Sequence, residues 1–430
     1  MAANSLDDRV FLFLQGPHGP FFSRLGKLLT QAGAAVWRVG FNAGDQFFWS
    51  PRERYIPYRG TPQAWPDRLQ EIMLDKGVTD LVIYGDTRPI HAQAVKLAKK
   101  RGITVHVFEE GYMRPYWVTY ERDGSNGNSR LMHTGVEHMQ KALAQSDIDA
   151  PLPPGHWGDM REHIFYGALY HWFVMFVNFR YREFQPHRAV PVSHEFRLYL
   201  KRLLLMPLLW CDRLQATWRV RRGGFPYHMV LLQLEHDSAF QMHSPFKTTR
   251  AFLDLVMTGF AKGAPKHHHL VIKTHPLEDG RSPLRRDVAK IANQLGIVKR
   301  VHFVRGGKLA QLLNDARTAV TVNSTAGHQV LWRGIPIKTF GKAIYAKPEL
   351  VSDQSLSEFF STPRRPNSKS YLDFRRYLLE TSQVPGGFYS AASRRQLLRH
   401  LVDLMLATDD PYVAFEKGTA APRQQLRAVN

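Results

Sequence analysis

The sequence predicts an α/β protein built from two Rossmann-like domains that face a cleft, with a helical, aromatic and basic insertion. Three observations predict it. Short apolar runs alternate with helical patterns over the first 110 residues, and the alternation resumes after Gly223-Gly224. Between these stretches the composition turns aromatic and arginine-rich. At 430 residues the chain is also too long for one ordinary core.

Residues 9–14 are an apolar run that stops in the turn Gln15-Gly-Pro-His-Gly-Pro20. Phe22, Leu25, Leu28 and Leu29 recur at helical spacing over 21–31, and 35–39 reads as the next strand. A helix over 67–75, a strand over 81–84, a helix over 89–100 and a strand over 104–108 follow. Pro89 suits a helix's first turn, where its missing N–H has no partner to lose, and Gly102 suits the stop. This order predicts a parallel sheet with helices on both faces.

Asp123-Gly-Ser-Asn-Gly-Asn128 is a loop, and Pro151-Leu-Pro-Pro-Gly155 reads as a linker. Residues 163–181 are densely aromatic, and 180–222 carry many Arg and Lys against Glu183, Glu195 and Asp212. Such helices can lie at a membrane interface, with cations at lipid phosphates, or can pack on the sheets with their aromatics as core. The residues leave both open. Beyond them, strands are expected at 229–233, 270–273, 301–304, 319–322 and 337–340. Helices are expected at 248–258, 284–295, 309–315, 326–333, 371–381 and 391–406. The domains are thus 1–150, an insertion at 151–222, a second α/β domain at 223–350, and helices over 351–430 that pack back on the domains.

Hydrophobic content of 44% and charged content of 22% fit a folded globular chain. A single cysteine, Cys211, excludes an internal disulfide framework. No apolar run approaches the roughly 18–20 residues that span a bilayer, and no secretory signal is visible, so a soluble or peripheral protein of the cytoplasm is expected. The net charge of +21 attracts nucleic acid, anionic lipid or anionic small substrates. No nucleic-acid recognition module is visible, so nucleic acid is not an expected partner. The run His267-His-His269 has no second ligand cluster at zinc-type spacing, and no metal is expected.

Chemistry concentrates where strands end, the edge at which open α/β sheets bind ligands. Gln233-Leu-Glu-His-Asp-Ser238 places Glu235 and Asp237 on one side of an extended segment and His236 on the other. The two carboxylates are interchangeable on this reading, and a loop cap or a surface ion pair would also account for them. Lys273-Thr-His275-Pro276 supplies a fixed charge, a hydrogen-bonding imidazole and a rigid turn. Asn323-Ser324-Thr325-Ala-Gly327 opens a helix after a strand, so it can serve as an anion site or as an ordinary N-cap. Glu109 and Glu110 end a strand, with Gly111 and Arg114 next; neighbouring carboxylates raise each other's pKa, and an ion pair with Arg114 is the plainer alternative. Gly16, in the first strand-end turn, joins the candidate binding residues.

Together these motifs resemble the capsule polysaccharide biosynthesis family, of the KpsS or LipB type, whose members are β-Kdo transferases. The matching segments are Glu109-Glu-Gly-Tyr-Met-Arg114, Gln233-Leu-Glu-His-Asp-Ser238, Lys273-Thr-His-Pro276 and residues 323–341. The resemblance implies a GT-B-like glycosyltransferase whose first domain serves the acceptor and whose second binds the nucleotide sugar. It implies retaining transfer of Kdo from CMP-Kdo, without a cofactor or metal, to a phosphatidylglycerol-type lipid at the inner-membrane surface, beside other capsule-assembly proteins. By the same match Asp237 is the nucleophile, with Glu235 and Gln233 supporting, and Glu109, or its neighbour Glu110, is the acid/base. Lys273 and His275 would hold the CMP phosphate or the Kdo carboxylate, and Ser324 and Thr325 the phosphate, with Pro276, Asn323, Gly327 and Arg114 as further candidate substrate-binding positions. Glu110 and His236 replace aspartates of the family pattern. Another sugar nucleotide, or a non-catalytic role in capsule assembly or export, is the competing reading.

Overall fold

A computed structural model describes residues 8–145, 160–185, 194, 197, 198, 201 and 204–420. The linker expected at 151–155 and much of the insertion over 186–203 lie outside the described residues. The chain divides into two compact units. One comprises Met1–Arg130, Lys141–Val192 and Arg376–Asn430, the other Leu131–Gln140 and Ser193–Arg375.

The strands in chain order are β1 (Val10–Phe13), β2 (Ala35–Gly40), β3 (Tyr55–Pro57), β4 (Asp80–Tyr84), β5 (Thr104–Glu110) and β6 (Trp117–Arg122). They continue with β7 (Tyr227–Leu231), β8 (His269–Lys273), β9 (Val301–Val304), β10 (Ala316–Thr321), β11 (Ile337–Thr339) and β12 (Gln383–Pro385). The first unit holds a seven-stranded sheet in the order β12-β6-β5-β4-β1-β2-β3. Strands β3, β2, β1, β4 and β5 run parallel, as the alternation predicts. The edge does not: β6 is antiparallel to β5, and β12 is antiparallel to β6. A short return from β5 to β6 allows only that direction, because a parallel neighbour needs a long crossover. Pairing with β6 also draws Glu109 and Glu110 into β5, opposite Thr119 and Val118.

Alternating side chains give this sheet a core on each face. Phe11, Phe13, Val82 and Phe108 pack against Phe21, Leu25 and Leu29 of the helix Phe21–Gln31, and against Leu397 and Leu401 of the helix Ala391–Leu406. Leu12, Leu81, Ile83 and Val105 pack against Leu69 and Ile72 of the helix Trp65–Asp75, and against Ala94 and Ala98 of the helix Pro89–Lys100. Each fully buried Leu or Phe contributes about 1.5–3 kcal/mol of transfer free energy.

The second unit's sheet is wholly parallel, in the order β11-β10-β7-β8-β9. Val230, Ile272 and Val320 meet Phe252, Val256 and Phe260 of the helix Thr249–Gly263. That helix starts where the Thr248 hydroxyl accepts the Ala251 N–H at 3.3 Å, a cap legible in its Ser/Thr-type residue. In each sheet the winding reverses beside the first strand, between β1 and β4 and between β7 and β10. Ligand crevices of open α/β sheets form at such reversals.

The cores also enclose imidazoles. His228 is buried between Thr318 Oγ1 (2.8 Å) and His268 Nδ1 (3.0 Å), and burial, with His268 adding, pushes its pKa down to about 3. Burial likewise pushes His328 to about 3, with Arg375 adding, and His91 to about 3, with Arg88 adding. As pH drops below about 6.5 the unfolded chain binds protons that these folded imidazoles refuse, so stability declines down to about pH 3. The thermal unfolding midpoint is therefore expected to fall between pH 6.5 and 4, and less steeply in His228→Gln; equal slopes for both chains would remove His228 from the account.

Candidate active site

The reversal between β7 and β10 brings two of the sequence motifs together. Strand β7 ends at Leu231, earlier than the apolar run suggests, because Gln233 turns its amide toward the neighbouring loop. Gln233 Nε2 donates to Asn323 Oδ1 at 2.8 Å, and the Asn323 N–H donates to Gln233 Oε1 at 3.1 Å. Asn323 Nδ2 donates in turn to the carbonyls of Ala239 (2.8 Å) and His243 (3.3 Å). Both residues therefore spend their side chains on holding the loops.

The two carboxylates of the motif separate here. Glu235 Oε2 accepts the Thr249 N–H at 2.7 Å, at the start of the helix Thr249–Gly263. It satisfies a donor that the helix leaves open and lies against the positive end of its dipole. Asp237 is exposed at the start of the helix Ser238–His243, and its carboxylate has no hydrogen bond or ion pair among the described residues. One acid is structural; the other is available.

Next to β7, Lys273 ends β8 with only 5% of its surface exposed. Its Nζ reaches the Thr274 carbonyl at 3.5 Å, and no carboxylate accompanies it among the described residues. Burial, with the Arg213 guanidinium adding, lowers its pKa to about 8. His275 Nδ1 accepts the Leu277 N–H at 3.1 Å, which leaves the proton of a neutral ring on Nε2. Pro276 is exposed in the same turn.

Ser324 and Thr325 follow β10 and are half-buried. The Ser324 hydroxyl accepts the Ala326 N–H at 3.2 Å, and the Tyr345 hydroxyl donates to the Ser324 carbonyl at 2.6 Å. Any Cβ at Gly327 would overlap that tyrosine hydroxyl, so the glycine is needed for this approach. The helix that follows, Gly327–Leu331, is shorter than the 326–333 expected.

In the first unit, the β1–β4 reversal is bridged by Arg88, whose Nη1 donates to Gln15 Oε1 at 3.0 Å. Gln15 Nε2 donates onward to the Tyr170 hydroxyl at 2.9 Å, and Gly16 is buried directly after it. On β5 the two glutamates fall on opposite faces. Glu110 Oε1 accepts from the hydroxyls of Tyr84 (3.0 Å) and Tyr389 (3.3 Å). Burial, with Glu110 adding, holds both phenols well above their ordinary pKa, so they stay donors. His163 stacks on Tyr389 with ring centroids 3.9 Å apart. Glu109 lies beside the left-handed Gly85 (φ 71°), where a Cβ would stand 3.2 Å from Glu109 Oε2. Arg114 is exposed and its Nε donates to the Gly111 carbonyl at 3.2 Å, so the ion pair with the glutamates is not what holds it.

A family model described as "Capsule polysaccharide biosynthesis protein" matches residues 79–389. The chain belongs to this family. Similar relatives include the capsule polysaccharide modification protein LipB of Neisseria meningitidis serogroup A, 33% identical over 387 residues, covering 88% of this chain and 91% of the relative. The capsule polysaccharide export protein KpsS of Escherichia coli is 29% identical over 385 residues, covering 89% and 98%. A solved structure of the β-Kdo 2,7 transferase of Thermosulfurimonas dismutans KpsC aligns with a TM-score of 0.43 and 14% identity, covering 92% of this chain and all of that one. The matched family span includes every candidate site residue except Gly16.

Sequence reasoning missed Tyr84, Tyr389 and His163, which gather around Glu110 from β4, from the segment after β12 and from the helix Met160–Phe176. No local pattern joins residues so far apart in the chain.

The split between the carboxylates is measurable. Glu235→Ala should cost about 1–2 kcal/mol of unfolding free energy, the size of a lost helix cap, whereas Asp237→Asn should stay within about 0.5 kcal/mol. Denaturant titration of the two variants checks this, and equal losses would contradict it. A ligand anion held by Lys273 should bind more weakly as pH rises through about 8, where the lysine becomes neutral. In Lys273→Met that pH dependence of the dissociation constant between pH 7 and 9.5 should vanish.

Proposed function

We propose that the protein is a retaining β-Kdo glycosyltransferase that moves Kdo from CMP-Kdo to a phosphatidylglycerol-type lipid, starting the poly-Kdo linker of a capsular polysaccharide. The observation that carries this reading is Asp237, an exposed and uncommitted carboxylate at the reversal of the second sheet, in a chain of the capsule family.

In the first step an Asp237 carboxylate oxygen attacks the anomeric carbon of Kdo, the bond to the phosphate oxygen breaks, and CMP leaves with the electron pair. In the second, an acceptor hydroxyl attacks that carbon, its proton passes to Glu109, and the Asp237 carboxylate is released. Two inversions restore the configuration, as in retaining glycosidases. Glu109 is favoured over Glu110 because Tyr84 and Tyr389 donate to one oxygen of Glu110 and hold it as an acceptor. Lys273 and His275 bind the donor's anionic groups, Ser324 and Thr325 its phosphate, and Gln233, Glu235, Asn323 and Gly327 shape the loops that present them.

The acceptor lipid gives the exposed aromatics a use. Helix Met160–Phe176 packs one side on the first unit through Tyr170 and through Phe173, which stacks on Phe47 at 4.1 Å. Its other side exposes Ile164, Phe165, Trp172 and Phe176, at 63%, 60%, 48% and 68%. In the second unit the helix Met206–Arg222 exposes Leu208, Trp210 and Trp218 beside Arg219, Arg221 and Arg222. No helix among the described residues is long and apolar enough to cross a membrane. Apolar stripes with cations nearby suit a peripheral position on the inner face of the cytoplasmic membrane, where anionic headgroups lie.

The test is incubation with CMP-Kdo and a phosphatidylglycerol analogue. Glu109→Gln should slow turnover about 10²- to 10⁴-fold, as loss of an acid/base group does. Intact-protein mass and peptide mapping of this slowed variant should show a Kdo adduct on Asp237. An adduct on any other residue would sink the nucleophile assignment. Transfer from UDP-sugars alone would replace the donor, and wild-type-like capsule and lipid products in cells that carry Asp237→Ala would point to the non-catalytic role.

A further inference from the structure

Lys273 poses a physical problem that the motif around it does not solve. An ammonium that is 5% exposed should have a carboxylate partner, yet among the described residues its hydrogen-bond contact is a carbonyl at 3.5 Å. The charge closest to it in effect is a second cation, Arg213. Arg213 is half-buried on the helix Met206–Arg222, which packs against β9, and makes no hydrogen bond or ion pair among the described residues. The nearest acid in sequence, Asp212, is already occupied by Arg285 (3.4 Å) and Arg305 (3.6 Å).

The backbone around the two cations is shaped to let them stay. Gly306 and Gly307, just after β9, both take left-handed φ values of 57° and 79°. The Arg213 side chain lies over Gly307, its Cδ 3.2 Å from where a Cβ would be. The Gly306 N–H donates to Thr274 Oγ1 at 3.3 Å, and the Thr274 N–H donates to the Val304 carbonyl at 3.0 Å. The turn after β9 and the turn holding Lys273 are thus one locked unit at the C-terminal edge of the sheet. Two like charges held together there destabilise the fold, an arrangement that an anionic ligand relieves.

We infer that Arg213 and Lys273, over the Gly306-Gly307 turn, bind one anionic group of the donor, with Arg213 supplying the planar fork and Lys273 the buried point charge. This rests on the donor reading above and adds to it a ligand residue from the basic insertion. The group is an oxyanion, either the nucleotide phosphate or the sugar carboxylate, which share the geometry that a guanidinium recognises.

Titration calorimetry of the full chain with CMP, free Kdo and inorganic pyrophosphate, on wild type, Arg213→Gln and Arg213→Lys, tests it. Arg213→Gln should weaken one probe about 10- to 100-fold, the size of one charge-assisted hydrogen bond, with a ligand-free thermal midpoint that does not fall and rises where the repulsion with Lys273 is relieved. Arg213→Lys should fall between it and wild type. Weakened CMP binding assigns the phosphate, and weakened Kdo binding the carboxylate. Arg213-dependent binding of pyrophosphate, with neither CMP nor Kdo bound, keeps the anion site and overturns the donor. Wild-type affinity for all three probes in Arg213→Gln, or no binding of any probe by wild type, overturns the inference. If Arg213→Gln does not fold, Arg213→Lys decides alone: weaker binding at an unchanged midpoint supports the site, and wild-type binding or a lowered midpoint overturns it.

Discussion

The second unit is organised by the amide pair Gln233–Asn323. Strands β7 and β10 are parallel neighbours in the sheet, and their paired register ends at Leu231 and Thr321, where the loops begin. Two side-chain amides replace the missing ladder and continue it by one step, and Asn323 extends the hold to the carbonyls of Ala239 and His243. Everything beyond depends on that tie. It sets where the helix Ser238–His243 starts, and with it the position of Asp237.

Side chains at this edge divide into those the fold consumes and those it leaves over. Gln233, Glu235 and Asn323 satisfy backbone and amide groups that burial would otherwise leave unpaired. Asp237 satisfies none, and Lys273 is held buried without a carboxylate partner among the described residues. A stable fold gains nothing from either, so ligand chemistry is the economical account of both. Glu110 in the first unit belongs with the consumed group, since two tyrosine hydroxyls fix one of its oxygens.

The insertion contributes more than its composition suggests. Its aromatic helix is anchored by the Tyr170 hydroxyl, which accepts from Gln15 and Asn42 beside the first sheet's reversal, and by the ring stacks of Phe173 on Phe47 and His163 on Tyr389. The opposite side of that helix remains apolar and exposed. Its basic helix delivers Arg213 to the turn after β9. Aromatics and arginines therefore serve both packing and exposure, and composition alone could not apportion them.

Much of the architecture was legible because parallel strands buried on both faces must be continuous apolar runs, and their helices must be amphipathic with capped ends. The helices Phe21–Gln31, Pro89–Lys100 and Ala391–Leu406 and the strand Val301–Val304 fall where periodicity and caps place them. Strand β6 carries β-favouring residues in Trp117-Val-Thr-Tyr120, but its direction and its place beside β5 come only from the antiparallel pairing. The strand-end motifs were legible as polar residues after apolar runs, but their duties were not. Glu235 and Asp237 look alike in sequence, and only the N–H of Thr249, a neighbour supplied by folding, distinguishes them. Sequence determines periodicity and chemical type, which are local; tertiary structure decides which donors and charges meet, because those partners lie tens to hundreds of residues away.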